Sequence, residues 1–406
     1  MIKVLHINTF DHGGAATACI RIHLCLLKKG IDSKILFLKK TKNIQEAYEF
    51  NIKSNYVSFY IKKLYKKITN KICLKNKNSL TNRKKNAEVF SFPYSNYKIT
   101  KSSLYKEADI IQLNWVSGFL NEQTFFKKNK KPVIWRMADL YACGSGYHYE
   151  KYFPFEKLKK ELNINYKIRK QVLKNNNITF VPISEWVKLK ANESSLIYNF
   201  PKKVIHNGVD LNIFKPHNKK YSRNVFNLKD DKTILLFGSD FIQNKRKGLD
   251  LLINALNLLP QNENIQLVTF GNFNITKENI LKYYKIIHIG NILDERLLSV
   301  LYSAADYFIM PSIEEAFGQV TIESMASGTP VISFPNGGSS DIIINGQNGF
   351  LSDDFSAESL SKSIILGLNT KFNRSDIVKY IKENFNIEEK CEQYIELYKS
   401  VLGYPQ

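Results

Sequence analysis

Short apolar runs alternate with amphipathic stretches along the whole chain. Between residues 15 and 29 the apolar positions recur at helical spacing, and Gly30 marks the end of this predicted helix. Strands that alternate with helices in this way are typical of α/β proteins with parallel sheets. The strands predicted in the first half cover residues 3–8, 33–38, 108–113, 131–136 and 179–183.

The same rhythm restarts after a turn-rich segment at residues 206–210. Two Rossmann-like halves of comparable size predict a ligand cleft between the carboxyl ends of two sheets. We predict a first domain over residues 1–203, a second over 204–386, and a terminal segment, 387–406, whose helix can pack back on the first domain. The elements predicted in the second half cover residues 233–238, 248–259, 265–270, 286–289, 294–303, 307–310, 319–327 and 330–334.

The composition excludes several classes of protein. Of the 406 residues, 44% are hydrophobic, a share that excludes wholesale disorder. No apolar run approaches the roughly 18 residues that a membrane-spanning helix needs. Residues 1–7 also lack the layout of a signal peptide. The five scattered cysteines lack the spacing of a disulfide framework or a structural zinc site, so we expect reduced thiols in a cytosolic protein.

The formal charge of +22 indicates an anionic partner, which could be nucleic acid, an acidic substrate or a membrane surface. Residues 51–106 contain 14 Lys/Arg against a single acid, Glu88. Within this basic segment, apolar residues from Val57 to Ile72 form one helical stripe flanked by lysines and tyrosines. A basic amphipathic helix of this kind is typical of peripheral binding to an anionic membrane. The pattern fits equally well a helix that packs its stripe on the domain and solvates its lysines.

Nucleic acid is a weaker interpretation of the charge, since no known binding motif accompanies it. We therefore expect no nucleic-acid partner.

Residues 309–332 form the most informative stretch, which is predicted to be a strand, a loop, a short helix and a second strand. Glu315 falls in the loop at the carboxyl end of the first strand, where α/β sheets bind ligands. Glu323 falls in the helix, with seven residues between the two carboxylates. Both carboxylates can therefore line one wall of a cleft.

The amides of Phe317, Gly318 and Gln319 are predicted to form the helix N-terminus, a position suited to an anion such as phosphate. Carboxylates beside an anion site can accept hydrogen bonds from hydroxyl groups, such as those of a sugar and a ribose.

This stretch reads Pro-Ser-x-x-Glu-x-Phe-Gly and then Glu-x-Met-Ala-x-Gly-x-Pro-Val. It resembles the Glu-x₇-Glu signature of retaining family-four glycosyltransferases. The resemblance covers nearly the whole chain and implies the GT-B fold, an α/β fold in which two Rossmann-like domains face each other across a cleft. The other matching segments are residues 13–16, 205–210, 246–248, 288–291, 301–306, 337–338 and 346–349.

The resemblance implies roles for individual residues of the second domain. Glu315 should contact hydroxyls of the donor sugar, and Glu323 should contact the ribose of the nucleotide. Arg246 and Lys247 should neutralise the pyrophosphate as it leaves. The loop at Asn291 should frame the base.

In the first domain the resemblance implies that the Gly13-Gly14 loop lets the diphosphate approach the backbone, and that Asp139 is a donor-site contact. Sugar transfer would retain configuration through a same-face displacement in which the leaving phosphate helps to deprotonate the acceptor hydroxyl. No Asp-x-Asp motif occurs in the chain, so we expect neither a metal nor another cofactor.

Two positions depart from the family pattern. Ala138 stands where the family has a His near the donor sugar, and Asn114 replaces a second family His. These changes indicate an altered donor, compensation by a neighbour such as His148 or Arg136, or reduced catalysis. Arg136 near the donor could favour a negatively charged sugar such as a uronic acid.

Segments 113–116 and 133–135, together with Asp139, resemble bacterial enzymes of capsule, O-antigen (lipopolysaccharide) or exopolysaccharide synthesis. The expected activity is transfer of a hexose from a UDP- or GDP-sugar to a glycan acceptor, which we expect to be lipid-linked. The enzyme is expected to be cytoplasmic and bound peripherally to the inner face of the cell membrane. One alternative is a catalytically weakened GT-B partner protein. A second alternative is a sugar-nucleotide epimerase.

Overall fold

The computed structural model describes residues 1–50, 88–239, 244–260, 264–272 and 284–404. The chain forms two compact units, Met1–Ile205 with Cys391–Gln406 and His206–Lys390. The predicted apolar stripe from Val57 to Ile72 lies outside the described residues. No helix within the described ranges is both long and apolar enough to cross a membrane.

The first unit contains a six-stranded parallel sheet in the order β3-β2-β1-β4-β5-β6. Strands β4, β5 and β6 are wholly buried, because helices cover both faces of such a sheet. The strands are β1 Lys3–Phe10, β2 Asp32–Lys39, β3 Ala47–Glu49, β4 Ile110–Leu113, β5 Val133–Met137 and β6 Ile178–Pro182.

Among the described residues of the first unit, five helices connect or follow these strands. The longest two, α1 and α4, have 15 residues each and bury one side against the core. The helices are α1 Gly14–Lys28, α2 Ser103–Glu107, α3 Glu122–Lys128, α4 Lys159–Leu173 and α5 Glu185–Glu193.

The second unit repeats this plan with a parallel sheet in the order β12-β11-β10-β7-β8-β9. Its core includes Leu235, Leu252 and Ile309, which are fully buried. The strands are β7 Thr233–Gly238, β8 Ile265–Phe270, β9 Lys285–His288, β10 Tyr307–Met310, β11 Val331–Ser333 and β12 Gly349–Leu351. The helices are α6 Lys219–Val225, α7 Leu249–Asn257, α8 Glu295–Ala304, α9 Gln319–Ala326, α10 Ala357–Leu368 and α11 Arg374–Phe385.

The last helix, α12 Ile387–Leu402, begins in the second unit and continues in the first. Tyr394 and Tyr398 on this helix are fully buried. The Tyr398 hydroxyl donates to Gln112 Oε1 on β4 at 2.5 Å. The helix therefore completes the core of the first unit from the far end of the chain.

Each unit is a parallel sheet with helices, so the prediction of an α/β protein built from two Rossmann-like domains is confirmed.

Candidate active site

The loop after β10 carries Glu315 and is held against the turn that follows β11. The Glu315 amide donates to the carbonyl oxygen of Asn336 at 2.8 Å, and the Gly338 amide donates to the Glu315 carbonyl oxygen at 3.0 Å. A Cβ atom on Gly338 would lie 2.2 Å from Phe317 Cα, so only glycine fits this close approach. The backbone of Glu315 is therefore fixed from both sides.

The turn of residues 245–247 lies against this loop because of Gly248. Gly248 has φ 71°, and a Cβ atom there would lie 1.8 Å from the carbonyl oxygen of Pro311. The Arg246 carbonyl oxygen accepts a hydrogen bond from the Ile313 amide at 2.9 Å. Arg246 Nη1 donates to the Glu314 carbonyl oxygen at 2.5 Å. These contacts place two adjacent cations beside the Glu315 loop.

Glu315 lies between those cations. Lys247 Nζ forms an ion pair and a hydrogen bond with Glu315 Oε1, and Arg246 Nη1 lies 3.6 Å from the same oxygen. Burial alone would raise the pKa of Glu315, but the charges of Lys247 and Arg246 outweigh burial and hold that pKa below its ordinary value of 4.5. The three charges leave one net positive charge, which can attract an anion.

Helix α9 starts directly after this loop. Gly318 precedes its first residue and has φ 89°, a left-handed conformation that favours glycine. The first amides of a helix have no acceptor within the helix, so the backbone from Phe317 to Gln319 offers donors to an anion. Lys247, Glu315 and this helix start therefore belong to one locality of the second unit.

Glu323 lies within α9 and is buried. The Tyr302 hydroxyl donates to Glu323 Oε2 at 3.4 Å. The carboxylate is thus oriented by a buried tyrosine of α8.

Asn291 lies elsewhere on the second sheet. It follows β9 and is exposed to solvent. Strands β7 and β8 separate β9 from β10, so Asn291 belongs to a different part of the carboxyl edge from Glu315. Its predicted contact with the base stays a prediction.

In the first unit, Gly13 lies between β1 and α1, and Gly14 is the first residue of α1. Gly13 has φ 85°, and a Cβ atom on either glycine would meet no heavy atom within 4 Å. The turn therefore borders open space, which leaves room for a ligand to reach its backbone.

Asp139 is engaged by the first unit itself. Its carboxylate accepts hydrogen bonds from Trp115 Nε1 at 2.9 Å and from the Tyr141 amide at 2.9 Å, and it pairs with His148 Nδ1 at 2.6 Å. The side chain therefore organises the loop after β5, and contact with a donor stays a prediction.

The two side chains considered as replacements for the missing histidine are both buried. His148 is only 2% exposed, and its second ring nitrogen lies 2.8 Å from Ser91 Oγ. Arg136 is buried on β5, where its side chain shares a hydrogen bond with Tyr394 of α12. A role for either side chain at the donor therefore stays a prediction.

The sequence did not predict that Asn336 and Pro311 hold the Glu315 loop in place through their backbones. Asn336 accepts from the Glu315 amide, and Pro311 lies against Gly248. A Gly-Gly pair and a lone glycine after two cations were the visible signals of these close approaches.

The sequence segment that contains this site is similar to known glycosyl transferases. Residues 218–384 match the family model described as Glycosyl transferases group 1. Glycogen synthase of Mycoplasma mobile is 28% identical over 239 residues, which cover 50% of this chain and 50% of that protein. The O-antigen biosynthesis glycosyltransferase WclY of Escherichia coli is 35% identical over 138 residues, 32% of this chain and 37% of that protein. The chain thus spans about half or less of the length of these relatives.

Solved structures resemble the whole chain. Sucrose-phosphate synthase from Thermosynechococcus elongatus has a TM-score of 0.71 at 18% identity, covering 99% of this chain and 100% of that one. HepE of Anabaena in complex with UDP-glucose has a TM-score of 0.69 at 16% identity, covering 98% of this chain and 100% of that one. At such low identity these likenesses show the fold, which is GT-B.

Proposed function

We propose that the protein is a glycosyltransferase that moves a sugar from a nucleotide-sugar donor to a glycan acceptor. The observation that carries this proposal is the buried Glu315 carboxylate, held between Lys247 and Arg246 at the start of α9. This arrangement offers an acceptor for sugar hydroxyls beside cations and amides for a diphosphate. It lies within the segment that matches group 1 glycosyl transferases.

In this proposal Glu315 accepts hydrogen bonds from hydroxyls of the donor sugar, while Arg246 and Lys247 stabilise the charge that develops on the pyrophosphate. Lys247 forms an ion pair with Glu315, and a pyrophosphate would offer this lysine a second anion. Glu323, oriented by Tyr302, accepts from the ribose hydroxyls.

We further propose that configuration at the anomeric carbon is retained. The bond to the acceptor oxygen forms on the face from which the diphosphate leaves, and the departing phosphate oxygen takes the proton of the acceptor hydroxyl. We propose that no metal takes part, because the two cations supply the charge that the leaving group needs.

The donor that we propose is a UDP- or GDP-sugar. Support comes from HepE, a structural neighbour that was solved with UDP-glucose bound. The roles of Gly13, Gly14, Asp139 and Asn291 at the donor stay predictions from the family resemblance.

We propose a lipid-linked glycan as the acceptor, in the synthesis of a bacterial surface polysaccharide at the inner face of the cell membrane. WclY, named for O-antigen biosynthesis, supports this assignment. The basic segment 51–106 would then contribute to binding an anionic membrane.

A thermal-shift screen against UDP-, GDP-, ADP- and CMP-sugars tests the donor. A ligand that binds only the folded chain stabilises it by about 2.7 kcal/mol at a hundredfold excess over Kd. We expect a shift with a UDP- or GDP-sugar that is reduced in Glu315→Ala. If none of the four classes shifts the wild type, the donor assignment is wrong.

Product analysis separates the proposal from its two alternatives. A transferase lengthens an acceptor, whereas an epimerase converts the donor with no acceptor present. A catalytically weakened partner protein would neither transfer nor hydrolyse a donor that it binds.

A further inference from the structure

Helix α4 has two very different sides. Its inner side is held in the first unit by Leu173 and Asn165, which are buried, and by Arg169, whose Nε donates to Glu122 Oε2 at 3.0 Å. Leu162 packs against the aromatic cluster of Phe90, Phe92 and Phe153. The helix is therefore firmly seated, and its outer side has a fixed direction.

The outer side of α4 is basic. Lys160, Lys167 and Lys174 recur at helical spacing across the helix and the residue after it, and all three are exposed. Within the described residues, none of these three forms an ion pair with an acid. Between them lies Ile164, which is 46% exposed. The other exposed residues on this side are Lys159, Asn163, Lys170 and Gln171.

The turn that leads into α4 exposes aromatic side chains. Tyr152 is 56% exposed, and Phe155 is 38% exposed. Phe155 rests on Tyr147 and Phe153, with ring centroids 5.3 and 4.8 Å away. Lys151 and Lys157 flank the two aromatic residues, and the exposed acid Glu156 lies between Phe155 and Lys157. Apolar and aromatic groups thus stand beside cations along one continuous stretch of chain.

We propose that the outer side of α4, together with Tyr152 and Phe155, is a docking surface for an anionic lipid bilayer. The row from Lys160 to Lys174 is about 21 Å long, at about 1.5 Å per residue, and suits a helix that lies along the headgroups. The cations attract anionic lipids, while Tyr152, Phe155 and Ile164 enter the boundary between headgroups and acyl chains. The exposed apolar side chains of Ile164 and Phe155 favour a bilayer over nucleic acid, because the phosphates of a nucleic acid attract only the cations.

This α4 surface deepens the membrane part of the proposed function and is independent of sugar transfer. It also lies beside the point where the described chain resumes after residue 87. Phe90 pairs with Tyr147 through a β-bridge, and its ring centroid lies 6.1 Å from that of Phe153. Phe90, in the described part of the basic segment, thus belongs to the aromatic cluster that supports the α4 surface.

The test uses the full chain and flotation with phosphatidylcholine vesicles that contain or lack phosphatidylglycerol. We expect binding only to the anionic vesicles. The triple variant K160E/K167E/K174E should bind roughly a hundredfold more weakly. The matched control, K362E/K379E/K382E, changes the net charge equally on exposed lysines of the second unit and should bind within about twofold of wild type.

Two further variants keep the result decisive. K160Q/K167Q/K174Q removes charge without adding acids, and Y152A/F155A/I164A should weaken vesicle binding while all lysines remain. Unchanged thermal midpoints and an unchanged shift with the nucleotide-sugar show that folding and donor binding survive, so a failed donor assignment is recognised separately. The proposal is overturned if the wild type does not bind anionic vesicles, or if both triple charge reversals reduce vesicle binding equally. It is also overturned if K160E/K167E/K174E loses binding to duplex DNA but keeps its binding to vesicles.

Discussion

Glu315 carries its charge inside the second unit because two cations lie beside it and its own backbone is pinned by Asn336 and Gly338. A buried carboxylate without such partners would be neutral at pH 7. Each cation is in turn positioned by Gly248, which brings the turn against Pro311. The chemistry that we propose therefore depends on Gly248 and Gly338, which allow these close backbone approaches.

Glu315→Gln should destabilise the second unit by about 3 kcal/mol at pH 7, because it leaves Lys247 and Arg246 without their acid. The pKa of Glu315 is lowered in the folded state, so its ion pair stabilises above the ordinary carboxyl value of 4.5 and is lost as pH falls through the lowered pKa. The difference from wild type should thus narrow as the pH falls from 4.5 through the lowered pKa, measured by urea unfolding at several pH values. Glu383→Gln, at an exposed position, should show no such effect.

Lys247→Met should lower kcat by about a hundredfold or more, because the lysine would stabilise charge on the leaving diphosphate. Lys245→Met is the matched control, since Lys245 lies in the same turn but is exposed. Steady-state transfer assays measure both. Equal activity of the two variants would remove Lys247 from the mechanism.

Gly248→Ala should destabilise the second unit by more than about 2 kcal/mol, since the left-handed backbone and the contact with Pro311 both oppose a side chain. Gly290 also has a left-handed backbone, with φ 90°, but a Cβ atom there would meet open space. Gly290→Ala should therefore lose only the about 1–2 kcal/mol of stability that a side chain costs in this conformation. Denaturant midpoints of the two variants give the comparison. A smaller loss at Gly248 than at Gly290 would contradict the close packing.

At the scale of elements, most of the parallel strands were predicted from their apolar runs. Helical spacing located α1, α7, α8, α9 and α12, whereas the other described helices, α4 among them, were not located. Strands β3 and β12 were missed, because each has three residues and is defined by pairing with a neighbour rather than by its own pattern. The loop of Glu315 was placed correctly after β10. Asp139, His148 and Ser91 form a hydrogen-bonded network that could not be predicted, because the spacing of these residues along the chain gives no indication that they meet.

Helix α12 provides an element-scale prediction. Tyr398→Phe removes the donor to Gln112 Oε1, and an unpaired buried acceptor costs about 1–3 kcal/mol. The first unit should lose that stability, seen as faster hydrogen exchange in β1 and β4. Tyr404→Phe, at an exposed tyrosine, should leave exchange unchanged.

At the scale of the whole molecule, most of the positive charge lies outside the candidate active site. The +22 of the chain is concentrated in the basic segment, with a further group of exposed lysines on α4, whereas the candidate active site uses two cations and one buried acid. The sequence motif drew attention to Glu315, Arg246 and Lys247, which the structure brings together, and their role in catalysis stays a prediction. It could not locate the α4 surface, since the buried and exposed sides of that helix become distinct only when Arg169 meets Glu122.

The path of α12 also dictates an order of assembly during translation. A ribosome finishes the whole of His206–Lys390 before it makes the residues of α12 that belong to the first unit. Until Tyr394 and Tyr398 emerge, the nascent first unit has an open core, while the second unit already has every strand of its sheet. The unit made first is therefore the unit that closes last, and in the cell its unfinished apolar face would be the natural target of chaperones that hold nascent chains.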